Sequence, residues 1–526
     1  MKKLLKSFAL LLFTTLTLLS SLRGQDRVVE ELLRLGAEQN RTMEHLDILT
    51  NRIGGRITGS DNCEVATQWI AALLKEWGLE VEVIEVGSLP VGFNRGPWWG
   101  KMLSSEGMDL HFATPSYTSG TKGVQRGHVV MEPKTRAQFE RVKGVLKGAW
   151  VLITGENDGW AINHSKYADQ ERSQIIETNE AIKRYNDSIT IINRENPHKA
   201  AKPLKEYLDA PALFYKEMRE AGILGTIQSA KVPIKVMYDR ANLMDLSFDN
   251  LPSCPDIKLE ENQYRAIEQK VKERENIILE FLIRNNFRPG PIKFHNVIGY
   301  IRGSHFPDQL VMSGGHIDSY DVATGGVDCG TGVAPNLEAA RLLSLAGAKP
   351  KRTIAFCFWG AEEFGLWGSK HWVASNREKL DKISNYFNRD GGPTAAASIT
   401  VPPAMYDSFK EATEELNRID PTIPFKLKMR EGPPPPRPTT PGMSDYAWFR
   451  IEGVPAIAFE NSDPHGYDFR YPDIWHTEKD HFNMSIPTYM EYSTLVTAIV
   501  VYKLANQPTL LSREALYREA KKRDKK

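Results

Sequence analysis

The chain is poor in cysteine, with four in 526 residues, at positions 63, 254, 329 and 357. So few exclude a disulfide-knit scaffold. It also lacks a charge imbalance. Lys and Arg number 67 against 66 Asp and Glu, a formal net charge of +1. That balance gives no reason to expect a nucleic acid or an anionic membrane as partner. After the first residues no apolar run is long enough to cross a bilayer. The length favours two folding units.

The N-terminus reads differently. "MKKLLKSFALLLFTTLTLLSSLRGQ" has a basic start and then an apolar run from Phe8 to Leu22. This is a secretory signal pattern, with no stop-transfer cluster after it. Residues 1–24 are read as that signal. A secreted or periplasmic protein follows, unattached to membrane once the signal is cleaved. No Cys follows the run, which argues against a lipid anchor. "REAKKRDKK", within 513–526, reads as a solvated basic tail.

Residues 26–80 carry helical spacing in "VVEELLRLGAEQ" and "CEVATQWIAALLKEWGLE", with Ser60 or Asp61 placed to cap the second. "VEVIEV" alternates like a strand. Residues 125–245 change texture, and they hold a charged helical stretch but no convincing group of metal ligands. They read as an inserted unit between two catalytic segments, 25–124 and 246–512. From about residue 288 the pattern becomes strand, loop, helix. "HNVIGYIRG", "DQLVMSGG", "RTIAFCFW", "ISNYFNR" and "VPAIAFEN" are strand candidates, and "YMEYSTLVTAIVVYKLAN" is a late amphipathic helix. Such alternation implies an α/β fold, a mixed but mainly parallel sheet sandwiched by helices. Ligands collect outside the carboxyl ends of such strands.

Charged residues stand after those strands. His316 and Asp318 follow the second candidate, Asp328 leads into the next helix, Glu362 and Glu363 follow "RTIAFCFWGA", and Asp390 follows "ISNYFNR". His476 lies in a late loop. Singly, each has an ordinary explanation. The Glu pair would complement a helix start, and Asp390 would make a turn. Together, two imidazoles and several carboxylates at one sheet edge suit a pair of divalent cations. A cation pair makes bound water a nucleophile near neutral pH, and a free carboxylate beside it carries the proton.

The motifs "GGHIDS", "GVDCGTGVA", "WGAEEFGLWGS", "NRDGG" and "WHTEKD" resemble the co-catalytic di-zinc exopeptidases of metallopeptidase family 28. The opening "LTNRIGGRITGSDNCEVATQWIAALLKEWGLE" resembles the branch of plasma glutamate carboxypeptidase-like enzymes. The 125–245 insert is similar to a protease-associated domain. The resemblance implies two zinc ions. His316 and Asp390 would be terminal ligands of one, and Glu363 and His476 of the other. Asp328 would bridge them, Glu362 would be the general acid–base, and Asp318 would orient His316. The implied substrate is a short peptide or dipeptide, attacked by metal-bound hydroxide. Aminopeptidase and carboxypeptidase or dipeptidase activity stay unseparated, and a homodimer stays open.

The chain departs from the family pattern at two places. Cys329 follows the bridging Asp where Asp or Asn is usual, and reads as a buried small residue, an added ligand or an oxidation-sensitive spot. Trp475 precedes His476 where some relatives have Tyr. Tyr446 is a substitute candidate for holding the transition state. Arg437, on the proline-rich stretch 430–442, is a candidate reader of a substrate carboxylate, and the stretch itself is expected as a rigid wall of the cleft. Two rival readings remain: a glutaminyl cyclase-type acyltransferase, with one zinc, and a catalytically inactive binding homologue, which would have lost ligands.

Overall fold

The computed structural model describes residues 27–518, apart from 105–106, 156, 163–165 and 241–242. The expected signal, 1–24, lies outside the described residues, as does the tail from 519.

Among the described residues, eleven strands form one sheet. Its order is β11 (Ile383–Asn388), β9 (Phe306–His316), β10 (Arg352–Trp359), β8 (Ile278–Ile301), β4 (Gln125–Met131), β5 (Ala149–Ile153), β6 (Gly225–Ala230), β7 (Asp256–Glu260) and β3 (Phe112–Ala113). β1 (Glu80–Met102) runs antiparallel along β8, and the short β2 (Met108–Asp109) pairs with β1. β8 belongs to both halves of the sheet. Residues 297–301 pair with β10, and residues 278–281 pair with β4.

"VEVIEV" is only the start of β1. Gly and Pro in the following residues disguise the rest, and bulges at Glu85/Gly87, Leu89/Val91 and Arg95/Trp98 absorb them. On β8, Gly290 is needed because a side chain there would collide with the Pro90 carbonyl.

Helices cover both faces of the half containing β9, β10 and β11. On one face, α1 (Asp61–Glu76), α3 (Gly330–Leu345) and α5 (Pro487–Asn506) pack on Val311, Ile354, Phe356 and Phe387. On the other, Trp372 and Val373 of α4 (Trp367–Ser375) pack on Met312, Ala355 and Trp359. Neighbours in the strands point to opposite faces, so both faces must be apolar. Ser60 caps α1 by accepting from the Cys63 N–H at 3.1 Å. The late helix α5 is not amphipathic. From Tyr489 on it is buried almost all round, because it lies between α3 and the sheet.

"VPAIAFEN" is a strand only at its end. β14 (Glu460–Ser462) joins β12 (Ala395–Val401) and β13 (Lys426–Met429) in a small second sheet. Its earlier residues bond β11 singly, through Tyr386 N–H to Pro455 O and the Asn385 amide to Ile457.

The other half of the sheet has its own core of Phe112, Trp150, Leu152, Ile227, Ile257 and Phe281, drawn from both sides of the 125–245 stretch as well as from within it. Beside it lies α2 (Lys166–Glu195). Asn179, Asn186 and Asn193 of α2 each bond one backbone residue of the returning segment twice. They donate to the carbonyls of Leu208, Lys205 and Lys202, and accept from the same residues' N–H groups at 2.8 Å.

Candidate active site

β9, β10 and β11 are mutually parallel, so their carboxyl ends open on one edge. His316 ends β9. A side chain at Gly314 would collide with the Cys357 carbonyl, and one at Gly315 would stand 2.7 Å from the Arg389 carbonyl. The two glycines therefore let β9 close on its neighbours with His316 at the seam. Glu362 and Glu363 lie in the turn after β10. The helix begins only at Trp367, so the pair is not at a helix start and the dipole explanation does not apply. Asp390 lies two residues past β11, Asp328 just before α3, and His476 in a loop at φ 59°.

These side chains converge, each 10% exposed or less. Asp328 divides its carboxylate between the two imidazoles. Oδ1 lies 3.1 Å from His316 Nε2, and Oδ2 lies 3.3 Å from His476 Nε2. His316 Nε2 is also 3.5 Å from Asp390 Oδ1 and 3.9 Å from Glu362 Oε2. His476 Nε2 is 3.1 Å from Glu363 Oε2. Overlapping groups, His316–Glu362–Glu363 and Asp328–Glu363–His476 among them, place their ligand atoms within 4.8 Å of one another.

The electrostatics follow from burial. Burial, opposed only partly by His316, pushes Glu362 well above the carboxylate range. Burial, against the pull of His476, lifts Glu363 to about 7. Burial would lower His476, but Glu363 and Asp328 outweigh it and raise the ring to about 9. Burial would raise Asp328, yet the two histidines hold it low. Four carboxylates packed this closely need positive charge. Glu363 Oε1 is buried with no hydrogen-bond partner among the described residues. The donor set, imidazole nitrogen with carboxylate oxygen, fits divalent cations.

Asp318 acts differently from expectation. Its main-chain carbonyl, not its carboxylate, accepts from His316 Nδ1 at 2.9 Å, while its Oδ1 is 3.6 Å from that nitrogen. The carboxylate instead accepts from the N–H groups of Glu362 and Glu363, at 3.1 and 3.3 Å, and from Thr58 Oγ1 at 2.8 Å. It therefore holds the glutamate turn.

Several supporting residues carried no sequence-level assignment. Asp480, the last residue of "WHTEKD", accepts from the N–H groups of Val327 and Asp328, and so fixes the Asp328 loop. Buried Arg56 donates to the carbonyls of Gly54, Ile317, Thr324 and Gly325 and ties that loop to β9. The motif "GGRITGS" signalled both Arg56 and Thr58, but only as a glycine-rich loop.

The site lies at the base of a cleft of about 760 Å³. The other half of the sheet supplies one wall through residues 233–240. Val236 N–H donates to the His476 carbonyl at 3.2 Å, and Lys235 pairs with Thr477. Tyr446 lines the cleft, as do Tyr238, Tyr320 and Tyr471. Arg437 does not. Its Nε donates to the Ile451 carbonyl at 2.7 Å. The proline-rich stretch leans on the C-terminal segment, with Arg437 N–H bonded to Arg518 O and Arg518 N–H to Pro435 O. Only its end, at Gly442, reaches the cleft. The described part of the tail is likewise pinned, since Arg513 donates to the carbonyls of Leu380 and Ile383.

The sequence model of peptidase family M28 matches residues 296–500, which carry this whole cluster. By this match, which covers less than half of the chain but all of the cluster, the protein is a metallopeptidase. Mouse carboxypeptidase Q is 22% identical over 490 residues, covering 93% of this chain and 90% of its own. Among solved structures, a peptidase M28 precursor from Shewanella amazonensis superposes with a TM-score of 0.57 at 19% identity, over 93% of this chain and 98% of its own. A zinc aminopeptidase from Bacillus subtilis gives 0.52 at 17% identity, over 91% and 97%. The likenesses span both halves of the chain.

At the two departures from the M28 pattern, the surroundings are specific. Cys329 is buried and donates to the Arg389 carbonyl at 3.2 Å, with its sulfur grouped with ligand atoms of His316 and Asp390. Trp475 stacks under Lys235, whose Nζ is 3.8 Å from the ring centre. Among the described residues no helix is long and apolar enough to cross a membrane.

Proposed function

We propose that this protein is an exported zinc exopeptidase that hydrolyses short peptides or dipeptides with two metal ions. The observation that carries it is Asp328, one carboxylate with each oxygen against a different histidine. His316 and Asp390 would complete one ion's ligands, and Glu363 and His476 the other's. Zinc held there would supply Lewis acidity toward the peptide carbonyl and toward water. Glu362 faces the same cleft, and its raised proton affinity suits it to take a proton from the attacking water and give it to the leaving amine. Asp318 keeps Glu362 in place through the backbone. The half-buried Tyr471, facing the same carboxylates, supplies the phenol that Trp475 cannot, to bind the oxygen on which charge develops. Export rests on the signal pattern of residues 1–24.

Metal content of the mature protein is the test, measured beside hydrolysis of amino-acid anilides, free dipeptides and N-blocked dipeptides. Two zinc ions per chain and chelator-sensitive cleavage are expected. Glu362→Gln should keep both ions and lose turnover by roughly 10²- to 10⁴-fold. Full activity in that variant, or no cleavage by wild-type protein after zinc is restored, overturns the reading.

A further inference from the structure

The cleft contains a cation that the proposed chemistry leaves unused. Arg240 lines it from the wall contributed by the other half of the sheet, and among the described lining residues it is the one Lys or Arg. It is exposed, and it makes no ion pair with another described residue. Its guanidinium stands 5.7 Å from the Trp160 ring centre. Trp160 is in edge contact with Tyr238 at 5.6 Å, and Tyr238 lies 4.3 Å from Phe364, the residue after Glu363. Three aromatic rings thus lead from the carboxylate cluster to the guanidinium. A planar guanidinium over an aromatic face is pre-oriented to grip a carboxylate with two parallel bonds.

The charge inventory points the same way. The carboxylates lining the cleft are Asp328, Glu362, Glu363 and Asp390. All four are taken by the proposed metal site and proton transfer. No further carboxylate among the described lining residues is left for a substrate ammonium, whereas one guanidinium is left for a substrate carboxylate.

We infer that Arg240 is a specificity-determining residue that binds a carboxylate on the peptide substrate. The inference rests on the exopeptidase reading and names its substrate class. Its position fits a peptide whose scissile carbonyl lies at Glu362 and whose free carboxylate reaches outward along the rings. A carboxyl-terminal carboxylate and an acidic side chain share this chemistry.

The experiment compares kcat/KM of wild-type protein, Arg240→Ala and Arg240→Glu, all zinc-loaded, on three N-blocked dipeptides. One has an apolar last residue and a free terminal carboxylate, the second is its amide, and the third is an amide with Glu last. The expected result is that wild type prefers one carboxylate substrate to the neutral amide by tenfold or more. Arg240→Ala should collapse that ratio, mainly through KM, and Arg240→Glu should invert it. Preference for the free acid assigns the terminal carboxylate, and preference for the Glu amide assigns the side chain. An acid-to-amide ratio in Arg240→Ala equal to that of wild type overturns the assignment. That outcome leaves the exopeptidase reading standing, because cleavage itself persists. Failure of zinc-loaded wild-type protein to cleave any peptide would instead remove the exopeptidase reading, and the Arg240 assignment with it.

Discussion

The thioether sulfur of Met237 lies 3.2 Å from Nδ1 of His476. A metal-ligating histidine commonly gives its second N–H to a carboxylate or carbonyl. Here the partner is a weak acceptor, brought from the half of the sheet that does not carry the carboxylates. The same segment bonds the His476 carbonyl through Val236 N–H. One side of the proposed metal site is therefore held in place by the other half of the molecule.

Met237→Ala is expected to weaken binding of one of the two metal ions by about tenfold, the low end of the usual cost of losing such a partner. Met237→Leu keeps the volume without the sulfur and should show most of the same loss. Chelator competition reads both. Loss in Met237→Ala with none in Met237→Leu would show that packing alone orients the ring.

Asp318→Asn separates two kinds of support. The main-chain carbonyl still holds His316, so metal content should stay intact. The amide can accept from only one of the two glutamate N–H groups, and kcat should fall by roughly 10- to 100-fold. Loss of metal instead would mean that the carboxylate, not the carbonyl, keeps His316 aligned.

Metal loading should depend on pH with a definite sign. Protonated groups cannot ligate, and in the metal-free protein His476 holds its proton up to about 9 and Glu363 up to about 7. Affinity should rise with pH, and binding should release protons, most below about 9. Titration calorimetry in buffers of different ionisation enthalpy measures the release. Stability of the metal-free protein follows the same group. His476 titrates higher folded than its ordinary value of 6.5, so its contribution is complete below that value and is lost as pH rises through about 9. The metal-loaded protein should lack that loss.

Arg56→Met should destabilise the fold by about 3 kcal/mol or more, because carbonyls of Gly54, Ile317, Thr324 and Gly325 would lose their donor in the interior. A lower thermal midpoint and weaker metal retention are expected together. A wild-type midpoint would show that the Asp328 loop keeps its shape unaided.

The cluster was legible in the sequence because standing just after an apolar run is a local property. His316, Glu362, Glu363 and Asp390 each have it, and Asp328 has the other local mark, a place just before a helix. What supports them is not local. Arg56 bonds a residue 261 positions away, Val327 bonds Asp480 at a distance of 153, and Met237 meets His476 across 239. No spacing rule could join those pairs. Most of β1 and β8, beyond "VEVIEV" and "HNVIGYIRG", was hidden for another reason. Their glycines and prolines spell loop, and only pairing along the whole ribbon makes them strand. Arg437 stands away from the cleft, and a cleft wall cannot be told from a tail clamp without the fold.

The asparagine bonds between α2 and its returning segment amount to a vernier. Successive rungs are seven residues apart on the helix, at 179, 186 and 193, and three apart on the facing chain, at 208, 205 and 202. Seven helical residues advance about 10.5 Å, close to what three extended residues can span, so each rung meets its partner. The helix and the segment facing it can therefore change length together only in paired steps of seven and three residues.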